Sequence, residues 1–321
     1  MSGRTAVPTF LARVPAGLAR VPGVALVLIV LCAGFGVASA GFATPTNIAN
    51  ILVQSTILLL LALPMTLIIM TEGLDLSMGA VLTFASIVFA VSVIATGSFA
   101  LALLAALGAG LAFGLVNGLL VSVLDIPPFI ATLGTLGIAQ GLSLLVTDGQ
   151  SVVGIPRWID GIYSGRIAGI PLPIVVAAFA YAVTHVLLYR TRFGTYIFAL
   201  GGNREALKIA GISVRGMLIK VYLFGGLMAG FAALLMTARL NSAHPTAGIG
   251  MEFDAIAAVA VGGTSFERGN GWLFGTLLGV LAVGVLRNGL NLLAVPSSAQ
   301  VASIGALVIV ALFIDGLRSE P

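Results

Sequence analysis

Residues 48 to 79 read IANILVQSTILLLLALPMTLIIMTEGLDLSMG. The part from 48 to 70 contains no charged side chain. At about 1.5 Å per residue, a helix of that length reaches roughly 35 Å, more than the hydrocarbon core of about 30 Å. The run then breaks on TEGLDLSMG (71–79), which puts Glu72 and Asp75 into an oily part of the chain. No Lys or Arg occurs between Val21 and Pro156, so neither acid has a cationic neighbour in sequence.

The same apolar pattern extends over the whole chain. Of 321 residues, 59% are hydrophobic and 8% charged, where soluble domains carry about 25% charged residues. This is the composition of an integral membrane protein. The runs are continuous, whereas outer-membrane strands alternate with period two, so the spanning elements are helices. Spans are expected at about 22–41, 48–70, 77–96, 99–124, 127–147, 171–189, 217–238, 252–264, 272–290 and 298–316. The 252–264 segment is too short to cross as a straight helix and reads as a half-helix or re-entrant piece buried in protein. The fold class is all-α, a polytopic membrane protein of about ten helices, some short or broken, in one transmembrane domain over 1–321.

Orientation follows from the basic residues. With the N-terminus inside, Arg4, Arg13, Arg20, Arg190, Arg192, Arg204, Lys208, Arg215, Lys220, Arg268 and Arg318 fall on the cytoplasmic side, and Arg157, Arg166, Arg239 and Arg287 outside. The inverted arrangement violates the positive-inside rule, so both termini are expected in the cytoplasm. Residues 1–21 then form a cytoplasmic segment, 148–170 an outer loop, and 190–216 the largest cytoplasmic loop. Ala38-Ser39-Ala40 resembles a signal-peptidase site, but the preceding run has spanning length and is read as an uncleaved first helix. The pI near 9.6 reflects these topology determinants and not a nucleic-acid partner. The single cysteine, Cys32, lies in the first apolar run and has no intrachain disulfide partner.

Glycines repeat at four-residue spacing: Gly110, Gly114 and Gly118, then Gly226 and Gly230, then Gly275 and Gly279. Since glycine lowers helix propensity, such faces imply close helix–helix approach, an ordinary feature of membrane packing.

Four stretches carry chemistry or mimic it. In TRFGTYIFALGGNREALKIAGISV (191–214), Asn203 is an N-cap, Glu205 suits the first turn, Lys208 lies later and Gly211 is a stop, which describes a helix of about two turns. So short a helix is marginal alone, and its apolar members Ala206, Leu207, Ile209 and Ala210 need a surface: the membrane face of the protein itself, or a cytoplasmic partner. In RLNSAHPTAG (239–248), His244 has no second ligand at zinc spacing, and Pro245 and Gly248 set a turn. GGTSFERGNG (262–271) lacks the Lys of a Walker A loop and reads as a tight turn with Glu267 and Arg268 at its tip. Glu72 and Asp75, three apart, do not make a catalytic dyad. They suit an ion-coupled carrier, or a helix junction in which Asp75 or Ser77 caps the third span near water. No nucleophile–base pair or metal cluster points to an enzyme.

TEGLDLSMG (71–79), PPFIATLGTLGIAQG (127–141), GGNREALKIAGI (201–212), ARLNSAHPTAG (238–248), DAIAAVAVGGTSFERGNG (254–271) and GTLLGVLAVGVLRNGLNLL (275–293), in this order, resemble the permease subunits of ribose/galactose/xylose-type ABC importers. Glu72 departs from the pattern, standing where many members carry a small residue. The resemblance implies a dimer with a second permease copy or paralogue, a cytoplasmic ABC ATPase that binds ATP and Mg, and a periplasmic solute-binding protein. It places the chain in the bacterial inner membrane, with no cofactor of its own. It assigns coupling to the ATPase to Gly201, Gly202, Asn203, Glu205, Ala206, Leu207, Ala210 and Gly211, while Glu72, Asp75 and Ser77 are read from their place in the chain as a gate or helix junction. For a sugar path, Phe84, Phe89, Asn117, Asn288 and Asn291 are candidates by residue type, with packing or capping as their alternative role.

Overall fold

The structure is a computed structural model that describes residues 23–265 and 270–319, with side chains described as far as residue 309. The expected cytoplasmic segment 1–21 and the tip residues Glu267 and Arg268 lie outside the described residues. Thirteen α-helices follow one another among those described: α1 Gly23–Ala38, α2 Pro45–Met70, α3 Met78–Thr96, α4 Phe99–Ser122, α5 Pro128–Thr147, α6 Asp160–Ser164, α7 Leu172–Arg190, α8 Arg192–Gly202, α9 Arg204–Ile209, α10 Val214–Leu240, α11 Met251–Val261, α12 Leu273–Leu292 and α13 Ser297–Ser319. A two-residue hairpin, β1 Arg166–Ile167 and β2 Ile170–Pro171, precedes α7.

Each of the ten expected segments holds one of these helices. Seven of them, α2, α3, α4, α5, α7, α10 and α12, are long and apolar enough to cross a membrane. At 11 residues, α11 covers only about 16 Å and is a half-helix, as its length dictates.

Local chemistry explains most helix ends. Thr44 accepts the Asn47 N–H at 3.3 Å and Pro45 fills the first helical position of α2, where a missing N–H costs nothing. Gly97, at φ 65°, closes α3 in the left-handed conformation. Ser98 opens α4 and Ser213 opens α10, each accepting a backbone N–H three residues on.

Packing then orders the bundle. From Ser55 to Met70, α2 is buried on every side, as a helix apolar all round must be in a protein core. By contrast α4, α5 and α7 leave most of their apolar surface outward, where lipid solvates it. The most extensively packed helix pair is α4 with α10. A Cβ on Gly110 would overlap the Gly226 carbonyl, one on Gly226 would overlap Gly110, and one on Gly118 would stand 2.9 Å from the Ile219 Cα. The spaced glycines thus let two backbones touch, and Gly275 and Gly279 do the same for α12 against α11. Hydroxyl and amide pairs join other helices: Thr66 with Thr276 at 2.7 Å, Ser86 with Thr237 at 2.6 Å, and a reciprocal Asn47–Asn288 pair at 2.8 and 2.9 Å.

Candidate functional site

The α2–α3 junction is built around Asp75. After α2 closes on Thr71, Glu72 takes a left-handed conformation at φ 60° and points to solvent. Asp75 turns inward and is only 2% exposed. Its Oδ1 accepts the Ser77 N–H at 2.9 Å and the Ser77 hydroxyl at 2.6 Å, and the Asn117 amide reaches Oδ2 at 3.5 Å. Asn117 also donates to Ser77 Oγ at 2.9 Å and accepts from Thr135 at 2.6 Å. Thr132 and Tyr222 both donate to the Leu74 carbonyl, at 3.3 and 3.4 Å. The network therefore ties the junction to α4, α5 and α10. A buried carboxylate is tolerable when such donors surround it.

This corrects two expectations. Asp75 is not near water; Glu72 alone is. Nor does either Asp75 or Ser77 cap α3 in the usual sense, because Ser77, the cap residue, makes no side-chain capping bond and Asp75 binds Ser77 itself. The reason is tertiary: Asn117 and α10 close over the junction and take the place that solvent would occupy.

A second interruption, residues 241–250 between α10 and α11, lies against the first turns of α3. Gly79 and Gly248 lie so close that a Cβ on either would overlap the other's carbonyl, and Gly248 N–H donates to Thr83 Oγ1 at 2.9 Å. Glu252, in the first turn of α11, accepts the Gly250 N–H at 3.1 Å through Oε1, while its buried Oε2 lies against Gly79. Sequence reasoning passed over Glu252, although an acid inside an apolar half-helix was a readable signal.

The α9 end of the bundle follows its residues closely. Asn203 accepts the Ala206 N–H at 2.9 Å, Glu205 pairs with Lys208 at 2.7 Å, and Gly211 stops the helix at φ 76°. Ala206, Ala210 and Gly202 are exposed and Gly201 is buried. One assignment changes: Leu207, expected on the docking face, is 5% exposed and holds α9 against its own chain, whereas Ile209 is 88% exposed. Beside α9 a polar cleft of about 450 Å³ is lined by Glu72, Asp125, Arg204, Lys208 and Arg215.

The five candidate path residues are not gathered into one site. Asn117 belongs to the Asp75 network. Phe84 meets Phe113 edge-on with centroids 5.8 Å apart, and Phe89 is fully buried against Phe99 at 6.2 Å. Asn288 is held by Asn47, and exposed Asn291 accepts from Gln300 at 2.8 Å.

At the opposite end, His244 Nδ1 meets Ser151 Oγ at 2.5 Å and Nε2 meets Ser242 Oγ at 3.1 Å, while Val152 and Ala243 form a β-bridge. Gln140 donates to the Pro245 carbonyl at 2.8 Å, tying this segment to α5. Around α6, burial pushes the Tyr163 phenol up and the Arg239 guanidinium draws it back. Asp254 and Arg287 form an ion pair that the sequence did not reveal. Among the described residues, no group of three His, Cys, Asp or Glu side chains is placed to hold a metal ion.

A family model described as branched-chain amino acid transport system / permease component matches residues 47–312. The chain is 39% identical over 305 residues to the ribose import permease protein RbsC of Bacillus subtilis (strain 168), covering 94% of this chain and 95% of that one. It is 40% identical over 299 residues to RbsC of Escherichia coli (strain K12), with 91% and 92% covered. To the galactose/methyl galactoside import permease protein MglC of Salmonella typhimurium (strain LT2) it is 35% identical over 315 residues, with 92% and 94% covered. No solved structure matches the chain. With apolar helices of spanning length in the matched region, the chain is a multi-pass membrane protein and belongs to the family of branched-chain amino acid transport system permease components.

Proposed function

We propose that this chain is the membrane-spanning subunit of an ATP-driven ABC importer that carries a monosaccharide or a similar small polar solute across the bacterial inner membrane. The observation that carries this reading is the alignment with ribose and galactose import permeases over more than nine-tenths of both chains. ATP and Mg²⁺ are bound by a separate cytoplasmic ATPase, and a periplasmic binding protein delivers the solute. Neither Lys208 nor Lys220 follows a glycine, so neither stands in a P-loop, which supports hydrolysis outside this chain.

Both termini face the cytoplasm in this reading, and α9 with its flanking Gly201, Gly202 and Gly211 couples to the ATPase. Exposed Ile209 is its anchor, since a fully exposed isoleucine beside a capped, paired helix gains about 1.5–3 kcal/mol when a partner buries it. A second permease copy completes the path. The face of α5 supports this: Gly134, Gly137 and Gly141 have open space where a Cβ would stand, beside exposed Ile130, Leu133 and Leu145. Closure of the ATPase dimer draws the two α9 helices together, and the contact of the 241–250 segment with α3 at Gly248 and Gly79 transmits the movement.

The test is reconstitution. The purified chain alone is expected to hydrolyse no ATP, and uptake is expected only with the ATPase and binding protein present. Ile209→Glu is expected to cut coupled uptake at least tenfold at normal stability; unchanged uptake removes α9 from the coupling site. Uptake that stops when the ion gradient collapses, with ATP still present, favours an ion-coupled carrier instead.

A further inference from the structure

A cavity of about 420 Å³ lies at the end of the bundle opposite α9, between the last turn of α10, the 241–250 segment, the first turn of α11 and the C-terminal part of α12. One side is apolar, formed by methionine and aliphatic side chains. The other carries Arg239, His244, Thr246, Asp254 and Arg287. Its volume falls within the roughly 300–1,000 Å³ usual for small-molecule sites, and its make-up, an apolar wall with a few convergent polar groups, is also the usual one.

The ion pair sets the chemistry. The Asp254 side chain is 9% exposed and that of Arg287 42%, so the carboxylate is withdrawn from solvent while the arginine stays partly open, and both line the cavity. An ion pair with one partner in solvent adds little to stability, so its place beside a cavity points to another role. Paired, the two groups carry no net charge. They still present carboxylate acceptors next to N–H donors, which match neighbouring hydroxyl groups that each donate and accept. An amino acid would have to take Asp254 from Arg287 to hold its ammonium group; a diol binds the pair as it stands. His244 has both ring nitrogens engaged by Ser151 and Ser242, which fixes the wall of the cavity formed by residues 241–250.

We propose that this cavity is a binding site on the permease itself for a neutral polyhydroxylated small molecule, with Asp254 accepting and Arg287 donating hydrogen bonds to adjacent hydroxyls. The assignment rests on the reading of the chain as a solute importer's permease, and deepens it by giving the solute a contact within this subunit.

Equilibrium dialysis of radiolabelled D-ribose, D-galactose and D-allose, with L-leucine as the contrasting probe, against the full-length chain in lipid nanodiscs tests it. One or more of the sugars is expected to bind saturably in the wild type, with affinity lowered at least tenfold by Asp254→Asn and by Arg287→Gln. Thr246→Val, a change at an exposed position, is expected to lower it about threefold without altering the melting temperature. The double variant Asp254→Arg with Arg287→Asp re-forms the pair with its donors and acceptors exchanged, and is expected to regain stability but not binding. Unchanged affinity in Asp254→Asn, full recovery of binding in the exchanged pair, or saturable leucine binding in place of sugar overturns the proposal. ATP-driven uptake of the same sugars by wild type assembled with its ATPase and binding protein separates the two readings. Uptake without binding to the permease overturns the site alone, and the absence of both overturns the importer reading with it.

Discussion

Two interruptions of the apolar chain, 71–77 and 241–250, each bring an acid to the start of the helix that follows, and the two acids end in opposite circumstances. Asp75 is enclosed and satisfied by a backbone N–H, a hydroxyl and an amide, all neutral. Asp254 faces a guanidinium at the edge of a cavity. A carboxylate held by neutral donors from several helices fastens those helices together. One that shares its charge with a half-exposed arginine keeps a face for a ligand. Position beside a helix break does not decide the role; the neighbours supplied by other helices do.

The comparison breaks first at the contact between Gly248 and Gly79. Gly248→Val drives a side chain into the Gly79 carbonyl and Thr83 Oγ1, and is expected to cost about 3 kcal/mol or more, seen as lost yield and a lowered melting temperature in detergent. A normal melt would show that the 241–250 segment does not lean on α3. Next in size, Asp75→Ala leaves the Ser77 and Asn117 donors without their acceptor, and a loss of about 2–3 kcal/mol is expected in thermal unfolding. Lost uptake at unchanged stability would instead make Asp75 a gate. Asp254→Asn should disturb stability by about 1 kcal/mol or less, since its partner is partly solvated, while lowering uptake about tenfold. Equal destabilisation by the Asp75 and Asp254 variants would erase the distinction between the two acids. Smallest is Glu72→Gly, which relieves a left-handed conformation at φ 60° against glycine's greater freedom when unfolded. A gain of about 0.5 kcal/mol and unchanged uptake are expected, measured by melting and by transport.

Much of the α9 end was legible. Asn203, Glu205, Lys208 and Gly211 act on backbone within a few residues of themselves, so their roles follow from spacing and appear as read. The glycine faces of α4, α10 and α12 were legible for a similar reason, since a four-residue repeat marks one side of a helix whatever lies opposite. The direction of Leu207 was not. In a helix of two turns nearly every apolar residue borders both faces, and contact with α8 and α10 chose Leu207 for the inside and Ile209 for the outside. Nor was Asp254–Arg287 readable, because its partners sit on different helices, 33 residues apart in sequence.

From residue order alone came the approximate limits of the apolar helices, the half-length of α11, the caps of α9 and the close-packing faces, all consequences of local backbone hydrogen bonding and of length against bilayer thickness. The burial of Asp75, the Asn47–Asn288 pair, the contact of Gly79 with Gly248 and the cavity beside Asp254 arose only when distant segments met. In a soluble helix an apolar stripe announces which face turns inward. Here lipid and protein interior are equally apolar, so that stripe is absent, and the packing of helices against one another selects which polar groups are enclosed and which are left to meet a ligand.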